Sequence, residues 1–292
     1  MIGYELVNMF TDRPFTGSAL AVVPDAMGLS SAVMQCVAAE LGAAETAFVL
    51  PATSPHASYR VRVFGPDAES PHGAHSGVGT AATLARLGRV PTGRLVQECG
   101  TGRQVLAARA DRATLHATGP VRGEPLDRQP LLDAVGLTEA DLADADGDGG
   151  PRRAGFGGGF AVLPVRAGAI ARARPDYAHM RDIALPALCL FTWDPADRLA
   201  RARLFAPGFG IPEDPACGPV AMALGGWLIV AGRLPATNGE HGYTVRQGAE
   251  AGRPALLECT VTVENGLVVR GSVTGRVTPV ACGHLAGPVE SP

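Results

Sequence analysis

The chain contains no lysine; all 25 of its basic residues are arginine, set against 28 acidic ones. A lysine amine forms Schiff bases and clasps the phosphates in a Gly-Lys-Ser/Thr loop. Pyridoxal-phosphate enzymes, lysine-type aldolases and phosphate-loop proteins are therefore excluded. An arginine- and alanine-rich genome would give the same bias, and the exclusion stands either way. Charge is sparse too, at 18% of residues, and a net charge of −3 gives no electrostatic reason to expect nucleic acid or an anionic membrane as partner. The six cysteines (Cys36, Cys99, Cys189, Cys217, Cys259, Cys282) include no C-x-x-C pair and no histidine-rich cluster, so neither a zinc site nor a disulfide framework is indicated. Five of them read as small buried apolar residues. No run of about 18 apolar residues occurs. The opening Met1-Ile2-Gly3-Tyr4-Glu5-Leu6-Val7 shows no basic region or cleavage site, so a cytoplasmic protein is the expectation.

What is present is a chain of 292 residues, enough for two domains, that repeats itself once. Arg62-Val63-Phe64-Gly65-Pro66 recurs 141 positions later as Arg203-Leu204-Phe205-Ala206-Pro207. After a connection three residues longer in the second copy, Pro71-His72-Gly73-Ala74-His75 falls on Pro215-Ala216-Cys217-Gly218-Pro219. A helix-like run follows each, Val78 to Leu87 closed by Gly88 and Val220 to Val230 closed by Gly232. Each half thus reads as strand, Gly-rich loop, helix. Such a helix start offers unpaired N–H groups and the positive dipole end to an anion, although glycine and proline also punctuate ordinary turns.

Elsewhere the pattern is largely β. Arg94 to Cys99, Arg103 to Ala108 and Thr114 to Ala117 read as strands, as do Phe160 to Val165, Leu256 to Val263, Leu267 to Val273 and Arg276 to Ala281. Glu264-Asn265-Gly266 marks a hairpin turn. Both halves read as antiparallel sheet plus a core helix. Ser30 to Leu41 carries Val33, Met34, Val37, Ala38 and Leu41 at helical spacing, and Asp144 to Arg153, rich in Asp and Gly, reads as a solvated loop.

Glu45 stands in the apolar run Ala43 to Leu50, where burial would raise its pKa toward the range of a group that both takes and returns a proton. A glutamate on the wet face of an edge strand is the other reading. His75 and Asp214 sit one in each copy of the loop and are candidate polar partners, as is any structural hydrogen-bonding role. Cys217 opens the second helix, where the dipole favours thiolate, and it reads equally as a small residue at a tight turn.

Gly17-Ser18-Ala19-Leu20-Ala21-Val22-Val23, Glu45-Thr46-Ala47-Phe48-Val49, Arg62-Val63-Phe64 with Gly73-Ala74-His75, and Arg203-Leu204-Phe205-Ala206-Pro207 through Asp214-Pro215-Ala216-Cys217-Gly218 together resemble the phenazine-biosynthesis (PhzF-like) isomerase family of the diaminopimelate-epimerase superfamily. The match runs nearly end to end, with four weak motifs in the family's order. The resemblance implies an α+β, diaminopimelate epimerase-like fold of two pseudo-symmetric domains, each a curved mixed sheet around a central helix, with the active site in the cleft between them. The expected division is residues 1–118, completed by about 276–292, and residues 119–275. It also implies a homodimer and proton transfer without a cofactor or metal. Glu45 would move the proton, with His75 and Asp214 lining the site and the helix at Gly218 receiving a carboxylate.

Departures from the family pattern bear on the substrate. His72 replaces the usual aromatic, Ala74 the usual glycine, and Pro219 a common serine; proline brings neither N–H nor hydroxyl. Racemases of the superfamily use two opposed thiols, whereas Gly73 stands where the first would be and only Cys217 matches the second. The resulting expectation is a cofactor-independent isomerase acting on an unsaturated small-molecule carboxylate in specialised, antibiotic-type biosynthesis. Amides around Gly73, Ala74, Cys217 and Gly218 would hold the carboxylate, with His72 and Pro219 shaping the pocket. An epimerase, racemase or hydroxyproline-type dehydratase using Cys217, and a metabolite-binding module without turnover, are the alternatives.

Overall fold

Alternation of apolar and polar residues builds strands in both halves, and a run rich in Gly and Ala builds one central helix in each. In chain order the elements are β1 (Ile2–Met9), β2 (Ser18–Val23), α1 (Ser31–Leu41), β3 (Glu45–Leu50), β4 (Tyr59–Phe64), β5 (Glu69–Ser70), α2 (Ala74–Arg86), β6 (Gly93–Cys99), β7 (Gly102–Ala108) and β8 (Arg112–Thr118). There follow β9 (Glu124–Pro125), α3 (Arg128–Asp133), β10 (Arg152–Ala154), β11 (Phe160–Pro164), α4 (Ala167–Ile170), α5 (Tyr177–Asp182), β12 (Leu188–Asp194), β13 (Leu199–Ala206) and β14 (Ile211–Asp214). The chain continues with α6 (Gly218–Val230), β15 (Gly239–Gln247), β16 (Ala255–Glu264) and β17 (Leu267–Leu285). This computed structural model describes residues 1–119, 121, 123–143 and 149–287. The chain divides into two compact units, Met1–His116 with Thr274–Pro292, and Ala117–Val273.

In the first unit β1 and β2 are antiparallel, β2 and β3 parallel, β3 and β4 antiparallel, β4 and β6 parallel, and β6, β7 and β8 antiparallel. The far part of β17 pairs with β1 on one side and β8 on the other, closing an eight-stranded barrel. The second unit repeats the alternation: β10 and β11 antiparallel, β11 and β12 parallel, β12 and β13 antiparallel, β13 and β15 parallel, β15 and β16 antiparallel. The sheets are therefore mixed rather than antiparallel. The parallel pairs arise where the chain crosses over through a helix, as α1 carries β2 to β3.

Helix α2 is buried from Ser76 to Leu84, and α6, apolar on every side, from Val220 to Ile229. The barrel tolerates α2 only because of its small residues. A Cβ on Gly79 would stand 2.5 Å from Leu20 Cδ2 and 2.7 Å from Met9 Sδ, so the helix rests directly on β1 and β2. α1 covers the outside of the first unit with Met34, Val37 and Ala38 over Phe48 and Phe64, whose rings meet edge to face at 5.4 Å. Ser30 caps α1 by accepting from Val33 N–H at 3.3 Å, and Gly42 closes it at φ +60°. In the second unit α3, α4 and α5 contribute Leu131, Leu132, Ile170 and Met180 to a core with Leu163, Leu188 and Phe205.

Several expectations change. The two runs 267–273 and 276–281 form one strand, β17, because Gly275 is not a turn residue: a side chain there would collide with the Phe10 ring. Asn265 and Gly266 at φ +52° and +76° do form the expected tight turn. In the expected loop Asp144 to Arg153, residues 144–148 lie outside the described residues, while Arg152 and Arg153 belong to β10. Helix α2 starts four residues earlier than its apolar pattern, since polar His75 and Ser76 occupy its first turn. Cys36 and Cys282 are exposed and Cys99 half-buried; the expected burial holds for Cys189 and Cys259 alone among those five. Burial pushes the Cys189 thiol up to about 12 and the Cys259 thiol upward as well, which keeps both protonated and inert. Among the described residues, no helix is long and apolar enough to cross a membrane.

Candidate active site

The residues singled out by sequence sit at the N-terminal ends of the two central helices and at the strands leading into them. In the first unit Glu45 opens β3 beside β2, paired in register with Leu20, and its Oε2 is buried. Two residues back along β2 is Ser18, whose Oγ lies 3.1 Å from His75 Nε2 on the first turn of α2. Glu45, Ser18 and His75 thus share one end of the barrel. His72 is exposed just before the helix, with its backbone N–H donating to Ser70 Oγ at 3.2 Å.

Gly73 is the N-cap of α2 and offers no capping side chain. Glutamines of the sheet take over that task. Gln97 Nε2 donates to the Gly73 carbonyl at 3.0 Å, and the Gln104 amide, turned so that both its ends are satisfied, accepts from Ala74 N–H at 3.0 Å. Gly73 is also hemmed in: a Cβ there would stand 2.9 Å from Cys99 Cβ and 3.0 Å from Gln97 Nε2. A side chain at this position would have to displace Cys99 or Gln97.

In the second unit Asp214 ends β14, and its Oδ1 accepts from Ala216 N–H at 3.0 Å, folding the loop back on itself. Buried Gln247, the last residue of β15, donates to the Asp214 carbonyl at 2.6 Å and accepts from Cys217 N–H at 3.4 Å. Cys217 is the buried N-cap of α6, Gly218 follows it, and Pro219 fills the first turn without an N–H. Of the four amides expected to hold an anion, those of Ala74 and Cys217 are therefore already engaged by glutamine side chains. The capping glutamines were not identified from the sequence; their signal is a Gln on the apolar, inward-facing positions of a strand, Gln97 after Leu95 and Gln247 after Tyr243 and Val245.

A groove of about 610 Å³ lies elsewhere on the first unit, lined by Met27, Leu29, Met34, Leu50, Arg60 and Arg62 among others, and holds none of these site residues.

Comparison with known proteins gives a consistent picture. Residues 7–283 match the family model described as phenazine biosynthesis-like protein. An uncharacterized isomerase of Mesorhizobium japonicum is 31% identical, covering 97% of this chain and 98% of its own. The trans-2,3-dihydro-3-hydroxyanthranilate isomerase of Pseudomonas chlororaphis is 29% identical over 94% of this chain and 95% of its own. The crystal structure of a PhzF-family phenazine biosynthesis protein from Bacillus anthracis superimposes with a TM-score of 0.83 at 23% identity, covering 98% and 99% of the two chains.

Proposed function

We propose, from the premise that this chain belongs to the phenazine biosynthesis-like protein family and is an isomerase, that it moves a proton between two carbons of an unsaturated, carboxylate-bearing small molecule. The observation that carries this reading is the placement of Glu45, its Oε2 buried, on the strand next to the Ser18–His75 pair. A carboxylate oxygen shielded from solvent can accept a proton from carbon and give it back.

In this reading Glu45 is the acid and base, and no cofactor takes part. His75 and Asp214 hold the substrate and the proton's path, while the Gly218 amide, at the positive end of α6, faces the developing negative charge. Asp214 is suited to a fixed role because one of its oxygens is anchored by Ala216 N–H. Pro219 offers no donor beside Gly218, so the anionic end of the substrate finds fewer donors here than where a serine stands. Specialised biosynthesis is the expected setting.

The test is incorporation of deuterium from solvent into carbon, followed by mass spectrometry, with trans-2,3-dihydro-3-hydroxyanthranilate as first probe and cyclic unsaturated amino acids after it. Glu45→Gln should lower the exchange rate by about 10²–10⁴-fold, while Cys217→Ser leaves most of it. The reverse pattern would replace Glu45 with a thiol mechanism. Retention of a probe without exchange, across the series, would make the chain a binding module.

A further inference from the structure

We infer that Ser18 is a positioning residue that fixes the tautomer and direction of the His75 imidazole, an inference that rests on the proton-transfer reading above. Ser18 is 0% exposed, and its Oγ meets one side chain among the described residues, His75 Nε2 at 3.1 Å. A serine hydroxyl has one hydrogen to donate, and a buried hydroxyl hydrogen without an acceptor costs about 1–3 kcal/mol. The neutral imidazole nitrogen is the acceptor within reach. Ser18 therefore donates to Nε2, the His75 proton resides on Nδ1, and Nδ1–H is the proton the ring has to offer.

The surrounding fold holds both partners still. Gly17, just before Ser18, stands at φ +63°, and any side chain on it would collide with the Met9 carbonyl, so the entry into β2 is set by a residue only glycine can supply. Ser18 is itself paired with Met9 across β1. On the helix, Gly79 lies one turn beyond His75 on the same face and brings α2 against Met9 and Leu20. Met9 and Leu20 flank Ser18 in space, and Leu20 is the register partner of Glu45. One close approach thus places the imidazole over the start of β2, next to the strand that carries the glutamate.

The test reads the ring directly and needs no substrate. In long-range ¹H–¹⁵N spectra of the ¹⁵N-labelled full chain above about pH 8, where imidazoles are neutral, the His75 signals are those lost in His75→Gln. Nε2 should resonate as an unprotonated nitrogen and Nδ1 as a protonated one. In Ser18→Ala both should shift toward a tautomer mixture, and Ser18→Thr, which keeps the hydroxyl, should restore the wild-type pattern. With an exchanging substrate, Ser18→Ala should lower kcat about tenfold with KM nearly unchanged. A wild-type ring protonated on Nε2, or a ring unmoved by Ser18→Ala, overturns the inference. Exchange surviving in Glu45→Gln would instead overturn the glutamate mechanism and leave the tautomer result standing.

Discussion

The two halves of the chain carry one device in two environments. Arg62 lies over the Phe64 ring at 5.1 Å and grips Glu69 with two hydrogen bonds of 2.7 and 2.6 Å. Arg203 lies over Phe205 at 4.8 Å and grips Glu213 with two of 2.9 Å. In both, the arginine lies two residues before the ring on the same strand (β4, β13), and the glutamate comes from the short antiparallel strand that follows it on the way to the central helix (β5, β14). The difference is solvent. The Arg62 and Glu69 side chains are 27% and 41% exposed, those of Arg203 and Glu213 8% and 18%. Arg203 also donates to the Ile170 and Ala173 carbonyls at 2.9 and 3.1 Å, tying α4 and the turn after it to β13. The same residues therefore trim a surface loop in one unit and bolt a layer together in the other.

That contrast can be broken by matched substitutions. Arg203→Ala should cost the most, about 3 kcal/mol, because it strands a largely buried carboxylate and two carbonyls. The value is at the low end for such pairs since Glu213 keeps some water. Urea denaturation would measure it, and a loss no larger than that of Arg62→Ala would erase the distinction. Next comes the crowding around the first helix start. Gly73→Cys should destabilise by about 1–3 kcal/mol through contact with Cys99, and Cys99→Gly in the same chain should recover much of that loss. Additivity of the two changes would show that the pocket yields elsewhere.

Arg62→Ala should cost at most about 1 kcal/mol, as an exposed pair does. Smallest of all is a pH effect. Hydrogen bonds from Arg62 hold the Glu69 carboxyl below its ordinary 4.5. A carboxyl depressed on folding stabilises above its unfolded value and loses that contribution as pH falls through its folded one. Wild type should thus lose slightly more stability than Arg62→Ala on acidification below about 4.3, and parallel acid profiles would contradict this.

Much of this arrangement was legible in the sequence, for reasons that differ by element. The α1 boundaries were readable because Ser30 and Gly42 are capping residues and the apolar spacing is unbroken between them. The repeated Arg-x-Phe frame exposed the duplication, since guanidinium, ring and carboxylate impose residue identity as well as polarity. Strand direction was not legible: alternation says which face is buried and nothing about whether the neighbour runs parallel. Gly275 misled because close approach and turning both call for glycine, and only the Phe10 ring distinguishes them. Ser18 was visible within a motif, but its partner is 57 positions away, beyond any local pattern. The glutamines that cap α2 and α6 escaped for the same reason, since a capping residue from a distant strand leaves no mark near the helix it serves.

The strand shared by both units sets an order of assembly. Residues 117–273 form an uninterrupted stretch that holds everything its unit requires, whereas the first barrel lacks its closing stave until residues 274–285 have been made. On the ribosome the leading half must wait with the open edges of β1 and β8 unsatisfied while the later half is made, and its seal comes only after that.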